Sequence, residues 1–149
     1  MTPRVDELAG LALPVRPGAG GPRGEDAAGE LARVAAAAAA AKTSEATTLL
    51  DVGELLGITD YFVVTAGRSD RQVRAIVDEV GRRVRDAGGT RTRSVEGLAG
   101  CEWVLLDYGS FVVHVFGLEA RERFGLERLW SDAPSVDFDP ELAGERTSR

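Results

Sequence analysis

The sequence is short of the residues that staple or metallate a small domain. Its single cysteine, Cys101, forbids an internal disulfide, and its single histidine, His114, rules out the multi-Cys/His zinc sets. Basic charge is outweighed, with 18 Lys and Arg against 24 Asp and Glu, a net −6. That balance argues against holding naked nucleic acid by phosphate neutralisation and against docking on an anionic membrane surface. No apolar run approaches the roughly 18 residues of a membrane span. The longest one-letter run, the alanines at 35–41, is too short and too weakly apolar. A secretion pattern is also missing: Asp6 and Glu7 stand where basic residues are wanted, and Pro14 breaks the short apolar stretch at 8–15. These absences point to a soluble, cytoplasmic type of domain without a disulfide frame.

What is present suits one core. The chain has 149 residues, of which 44% are apolar, and a domain of this size buries roughly two-thirds of its unfolded surface. Charge divides unevenly along it. Residues 1–26 carry three Arg against four acids, residues 27–130 carry 13 basic against 15 acidic groups, and residues 131–149 carry two Arg against five acids. Residues 14–26 are rich in Pro and Gly with little to bury, so 1–26 reads as a disordered extension. Residues 131–149, with Pro134, Pro140 and scattered acids, read as an acidic flexible tail. The folded unit is expected at 27–130.

Within that unit, residues 27–42 are strong helix formers. Residues 47–52 read as a strand, 53–59 as a connection, and 61–66 as a buried central strand. Ser69 with Gln72 makes a capping box, and Val73, Ile76, Val77, Val80 and Val84 follow at helical spacing until Gly88 and Gly89 end the helix. Residues 90–95 alternate with charges that suit a sheet edge. Residues 102–107 and 110–116 form a hairpin turning at Tyr108-Gly109, and 118–130 close the unit as an amphipathic helix. The order predicts an α/β fold, a single domain with a mixed five-stranded sheet flanked by helices.

With Tyr108 and Gly109 as the loop, Leu105 lies opposite Val112 and Trp103 opposite His114. One face is then Val104, Leu106, Phe111, Val113 and Val115, wholly apolar. The other mixes Trp103, Leu105, Asp107, Ser110, Val112, His114 and Phe116, and is the working face or one covered by a helix that tolerates a histidine. Each residue has a plainer role beside a functional one: His114 as a hydrogen-bonded strand histidine, Asp107 as a turn carboxylate, Cys101 as a small buried hydrophobe rather than a nucleophile with His114 as base. Trp130 caps the core or anchors a partner. Gly67-Arg68-Ser69, between a strand and a helix, has the geometry for an anion but lacks the glycine spacing of a P-loop or dinucleotide fingerprint. No set of residues calls for a cofactor or metal, and no catalytic constellation is visible.

The string Thr59-Asp60-Tyr61-Phe62-Val63-Val64-Thr65-Ala66-Gly67-Arg68-Ser69, with Arg71-Gln72-Val73, resembles the opening signature of the ribosomal silencing factor (Iojap-related) family. Glu96-Gly97, Trp103-Val104-Leu105-Leu106-Asp107-Tyr108-Gly109 and Val112-Val113-His114-Val115-Phe116 resemble its middle. Arg121, Leu126-Glu127 and Leu129-Trp130, then Asp132-Ala133-Pro134, resemble its end. Two positions depart from the pattern: Ser110 stands where the family usually has Asp, and Phe124-Gly125 where an aromatic pair is common.

The resemblance implies a nucleotidyltransferase-like fold without the catalytic acids, and a non-enzymatic translational regulator. Such a factor binds the large ribosomal subunit through the fourteenth protein of the large-subunit series and blocks small-subunit joining when nutrients are scarce. The residues expected on that surface or in its immediate support are Trp103, Asp107, Tyr108, His114, Arg121 and Trp130. No membrane and no direct sequence-specific nucleic acid contact is expected. Two alternatives stay open: a nucleotide-binding domain using the Gly67-Arg68-Ser69 turn, and a homodimeric interaction module with a self-complementary hairpin face.

Overall fold

The apolar alternation of the strands and the long stripe of the central helix settle the architecture. A computed structural model describes residues 27–89, 92–124 and 132–141. The elements run α1 (Ala27–Ala40), β1 (Thr48–Asp51), α2 (Gly53–Leu56), β2 (Tyr61–Gly67), α3 (Asp70–Asp86), β3 (Ser94–Glu96), β4 (Trp103–Asp107), β5 (Phe111–Gly117) and α4 (Leu118–Phe124). The strands form one mixed sheet in the order β1-β2-β5-β4-β3. Strands β2 and β5 pair in parallel, and the other three pairings are antiparallel. The expected fold class is the observed one. The connection expected at 53–59 contains a short helix, closed by Gly57 in the left-handed conformation (φ +74°).

The central strand β2 is buried at every position, as a continuous apolar run requires. Helix α3 starts where the sequence places it, with Ser69 Oγ accepting the Gln72 N–H. Gln72 reaches one residue further back than a capping box has it, its Oε1 accepting the Arg68 N–H at 2.7 Å. At the other end, Gly88 takes φ +94°, Gly88 N–H donates to the Arg85 carbonyl and Gly89 N–H to that of Val84, a Schellman ending. Strand β3 is exposed along its length, in keeping with the charged edge expected there.

Helices α1 and α3 cover one face of the sheet. Beneath them lie Tyr61, Val63, Val73, Ile76, Val80, Val84, Val104, Leu106, Phe111, Val113 and Val115 in one cluster. Alanines allow α1 to approach closely, and Ala35 through Ala39 are all fully buried. The opposite face carries a smaller cluster of Leu50, Val52, Phe62, Val64, Ala66, Leu105, Val112, Phe116 and Ala133, with Leu56, Trp103 and Leu118 as its partly buried rim.

Residues 132–141, expected as tail, lie against the domain rather than away from it. Ser135 bridges Leu50, Asp51 N–H donates to the Pro134 carbonyl, and Val136 N–H donates to that of Leu49. Val136 and Phe138 pack on the helix-side core, and Arg33 Nε donates to the Asp137 carbonyl. This segment therefore occupies the β1 edge, which would otherwise offer unpaired strand groups. The remainder of the expected last helix, with Leu126, Leu129 and Trp130, lies outside the described residues.

Candidate functional site

The hairpin register differs from the expected one. Trp103 pairs with Phe116, Leu105 with His114 and Asp107 with Val112, so the turn is centred on Gly109-Ser110, not Tyr108-Gly109. The reason is local. Gly109 takes φ +89° at the first central position, as a Gly-first two-residue turn requires. Asp107 Oδ1 accepts the Gly109 N–H at 2.8 Å, and Thr59 Oγ1 donates to the Gly109 carbonyl from across the sheet. The register sum moves by two, and strand faces repeat every two residues, so every side chain keeps its expected face.

On the less covered face, Trp103 and His114 meet. His114 is 1% exposed and Trp103 is half-buried at the rim. Trp103 Nε1 donates to His114 Nδ1 at 3.1 Å. That donor requires a lone pair on Nδ1, so the imidazole is neutral with its proton on Nε2. The imidazole stands edge-on to Phe62 with centroids 4.4 Å apart, and the indole stacks on Phe116 at 5.3 Å. Burial pushes the histidine pKa down from its ordinary 6.5 to about 3. The ring is thus an acceptor built into an aromatic cluster.

The other expected site residues are placed elsewhere. Asp107 is buried at the far end of β4, roughly 13 Å from Trp103 at the usual strand rise, with its carboxylate on the turn. Tyr108 belongs to the helix-covered side, stacked on Phe111 with centroids 4.7 Å apart. Its hydroxyl is buried without a hydrogen-bond partner among the described residues. Burial pushes the phenol up to about 12, against a small opposite pull from Arg85. Tyr108→Phe is therefore expected to keep or raise stability, by up to ~1 kcal/mol in urea denaturation. A clear loss would show a partner for that hydroxyl. Arg121, expected at the partner-binding surface, is 9% exposed, and its Nη1 donates to the Ala46 carbonyl at 2.8 Å, fastening α4 to the loop before β1. Trp130 lies outside the described residues. Phe62, Leu56 and Leu118 were not expected in the site, and Phe116, expected on this face, proves to be the direct cross-strand partner of Trp103.

Cys101 and His114 cannot act as a pair, because Cys101 packs in the helix-side cluster and His114 lies on the other face. The thiol donates instead to the Leu98 carbonyl at 3.2 Å.

The Gly67-Arg68-Ser69 turn lines a crevice of about 470 Å³ at the C-terminal ends of β2 and β5, where α/β sheets bind ligands. Its chemistry does not favour a polyphosphate. Asp70, Glu102 and Glu119 line it against Arg68 and Arg123, and each arginine already holds a carboxylate, Glu45 at 2.6 Å and Glu102 at 3.2 Å. At the helix start the Arg68 and Gln72 amides are used internally, by Gln72 Oε1 and Ser69 Oγ. Among the described residues no three His, Cys, Asp or Glu side chains converge as a metal set, and no helix is long and apolar enough to cross a membrane.

The fold is a single-domain mixed sheet flanked by helices, one face of which carries an aromatic, hydrogen-bonded cluster. The family described as "Ribosomal silencing factor during starvation" matches residues 25–149, and the chain belongs to that family. It is 40% identical to the ribosomal silencing factor of Bacillus subtilis over 107 residues, covering 72% of this chain and 90% of that one. The corresponding protein of Halalkalibacterium halodurans is 36% identical over 110 residues, covering 74% and 93%. A crystal structure of a protein from Chromobacterium violaceum superposes with a TM-score of 0.64 at 30% identity, covering 73% of this chain and 89% of that one.

Proposed function

We propose that this protein silences translation by binding the large ribosomal subunit and occupying space that the small subunit needs. The observation that carries the reading is the half-buried Trp103, held by His114 and Phe116 at the rim of an apolar face that no long helix among the described residues covers. Tryptophan at such a rim is the residue type in which binding energy concentrates. The contact is made to protein: the near-balanced domain suits a basic ribosomal protein, the fourteenth of the large-subunit series, better than bare rRNA. The mechanism is steric exclusion, without catalysis or cofactor, and it places the protein in the cytoplasm. Domain limits of 27–130 belong to the same reading, with 132–141 as an added strap on β1.

The test is sedimentation. Added protein is expected to co-migrate with large subunits but not small ones, and to shift joined ribosomes toward free subunits. Trp103→Ala is expected to weaken that binding by roughly 30-fold, the scale of one hot-spot residue. An unchanged ribosome profile at saturating protein would sink the proposal. Magnesium-dependent nucleotide binding in calorimetry would favour the crevice reading instead.

A further inference from the structure

We infer that His114 is a positioning residue of the ribosome-facing surface, acting through Trp103 and never touching the partner; this rests on the proposed role of Trp103. At 1% exposure the imidazole is out of reach of any docking protein. Its Nδ1 nevertheless accepts the one hydrogen bond an indole can donate, at 3.1 Å. The bond runs diagonally across the hairpin, because the residue directly opposite Trp103 is Phe116. Two restraints from β5 therefore fix the indole: Phe116 sets the plane of the ring by stacking, and His114 sets its rotation within that plane. His114 itself is wedged by Phe62. A half-buried tryptophan with both restraints presents a single edge outward and loses little rotamer freedom on docking, so part of the ordering cost of binding is met beforehand. A strand histidine that only filled space would have no reason to aim an acceptor at the rim.

The experiment compares His114→Leu, His114→Asn, Trp103→Phe and Trp103→Ala in full-length protein, with purified large subunits as the probe. Melting temperature and the indole N–H proton resonance are recorded for each variant that retains the group. Leucine removes the acceptor, asparagine offers Oδ1 where Nδ1 stood, and phenylalanine at 103 keeps a ring but removes the donor. His114→Leu and Trp103→Phe are expected to bind about 10-fold more weakly at temperatures where both are folded. His114→Asn is expected to recover most of that loss, and to return the indole resonance toward its original position. Full affinity in His114→Leu, with Trp103→Ala still weakened, overturns the inference while leaving the surface reading intact. Full affinity in Trp103→Ala removes the surface reading and the inference with it. Should His114→Leu fail to fold, Trp103→Phe decides alone: undiminished binding there shows that the hydrogen bond positions nothing.

Discussion

Between pH 6.5 and pH 4 the folded domain is expected to lose about 3 kcal/mol of stability, through one side chain. The folded pKa of His114 is pushed down to about 3 by burial, whereas the unfolded chain titrates near 6.5. Below 6.5 the unfolded chain therefore takes up a proton that the folded one refuses. Stability is fully present above 6.5 and falls as pH drops toward 3, with a slope approaching about 1.4 kcal/mol per pH unit. A second cost points the same way. A protonated Nδ1 would face the Trp103 N–H, turning a hydrogen bond into a clash of donors. Because a domain of this kind has only about 5–15 kcal/mol in total, the effect should be plain in urea midpoints measured at pH 7, 5.5 and 4.5. His114→Asn should flatten the curve between pH 6.5 and 5, above the range where carboxylates contribute. A wild-type curve already flat in that interval would refute the assignment.

Glu79→Ala is expected to cost about 3–5 kcal/mol, because it leaves a buried guanidinium uncompensated. Arg83 is 2% exposed, and its Nε donates to Glu79 Oε2 at 3.0 Å, while Arg82 Nη2 donates to Oε1 at 2.6 Å. Burial alone would raise the Glu79 pKa, but the hydrogen bonds and charges of Arg82 and Arg83 prevail and hold it below 4.5. A depressed carboxyl contributes stability above its unfolded pKa and loses it as pH falls, so its acid effect sets in only near 4.5, in the lower part of the histidine window. Arg82→Ala is the internal control. Its side chain is 47% exposed, so the pair it forms is worth only about 0.2–1 kcal/mol. Equal small losses for the two variants, by urea denaturation, would show that Arg83 finds other solvation.

The sequence made the two sheet faces legible because side chains alternate between the faces of a strand, and only one resulting set, Val104, Leu106, Phe111, Val113 and Val115, is wholly apolar. It also made α3 legible, since cap, stripe and glycine ending agree. The pairing partners within the hairpin were not legible. Tyr108-Gly109 and Gly109-Ser110 are both acceptable turn dipeptides, and the choice depends on a carboxylate and on Thr59, fifty residues away in sequence. The roles of Asp107 and Arg121 were hidden for a similar reason. A charged residue aimed at a backbone group leaves the same trace in one sequence as a charged residue aimed at a partner. The strap on β1 escaped notice because an edge strand accepts almost any side chain; its bonds come from main-chain atoms.

The alternation of β5 has a consequence for how the protein can change. Phe111, Val113 and Val115 answer only to the helices, and Val112, His114 and Phe116 only to the less covered face. One seven-residue strand thus carries two messages interleaved letter by letter, one read by the helices and one by the face proposed for recognition. Substitutions at odd positions can adjust the helix-side core without touching the support of Trp103, and those at even positions can alter that support without disturbing the helix side. A single-residue insertion at the turn would exchange the two messages wholesale, whereas an insertion of two would leave both readable.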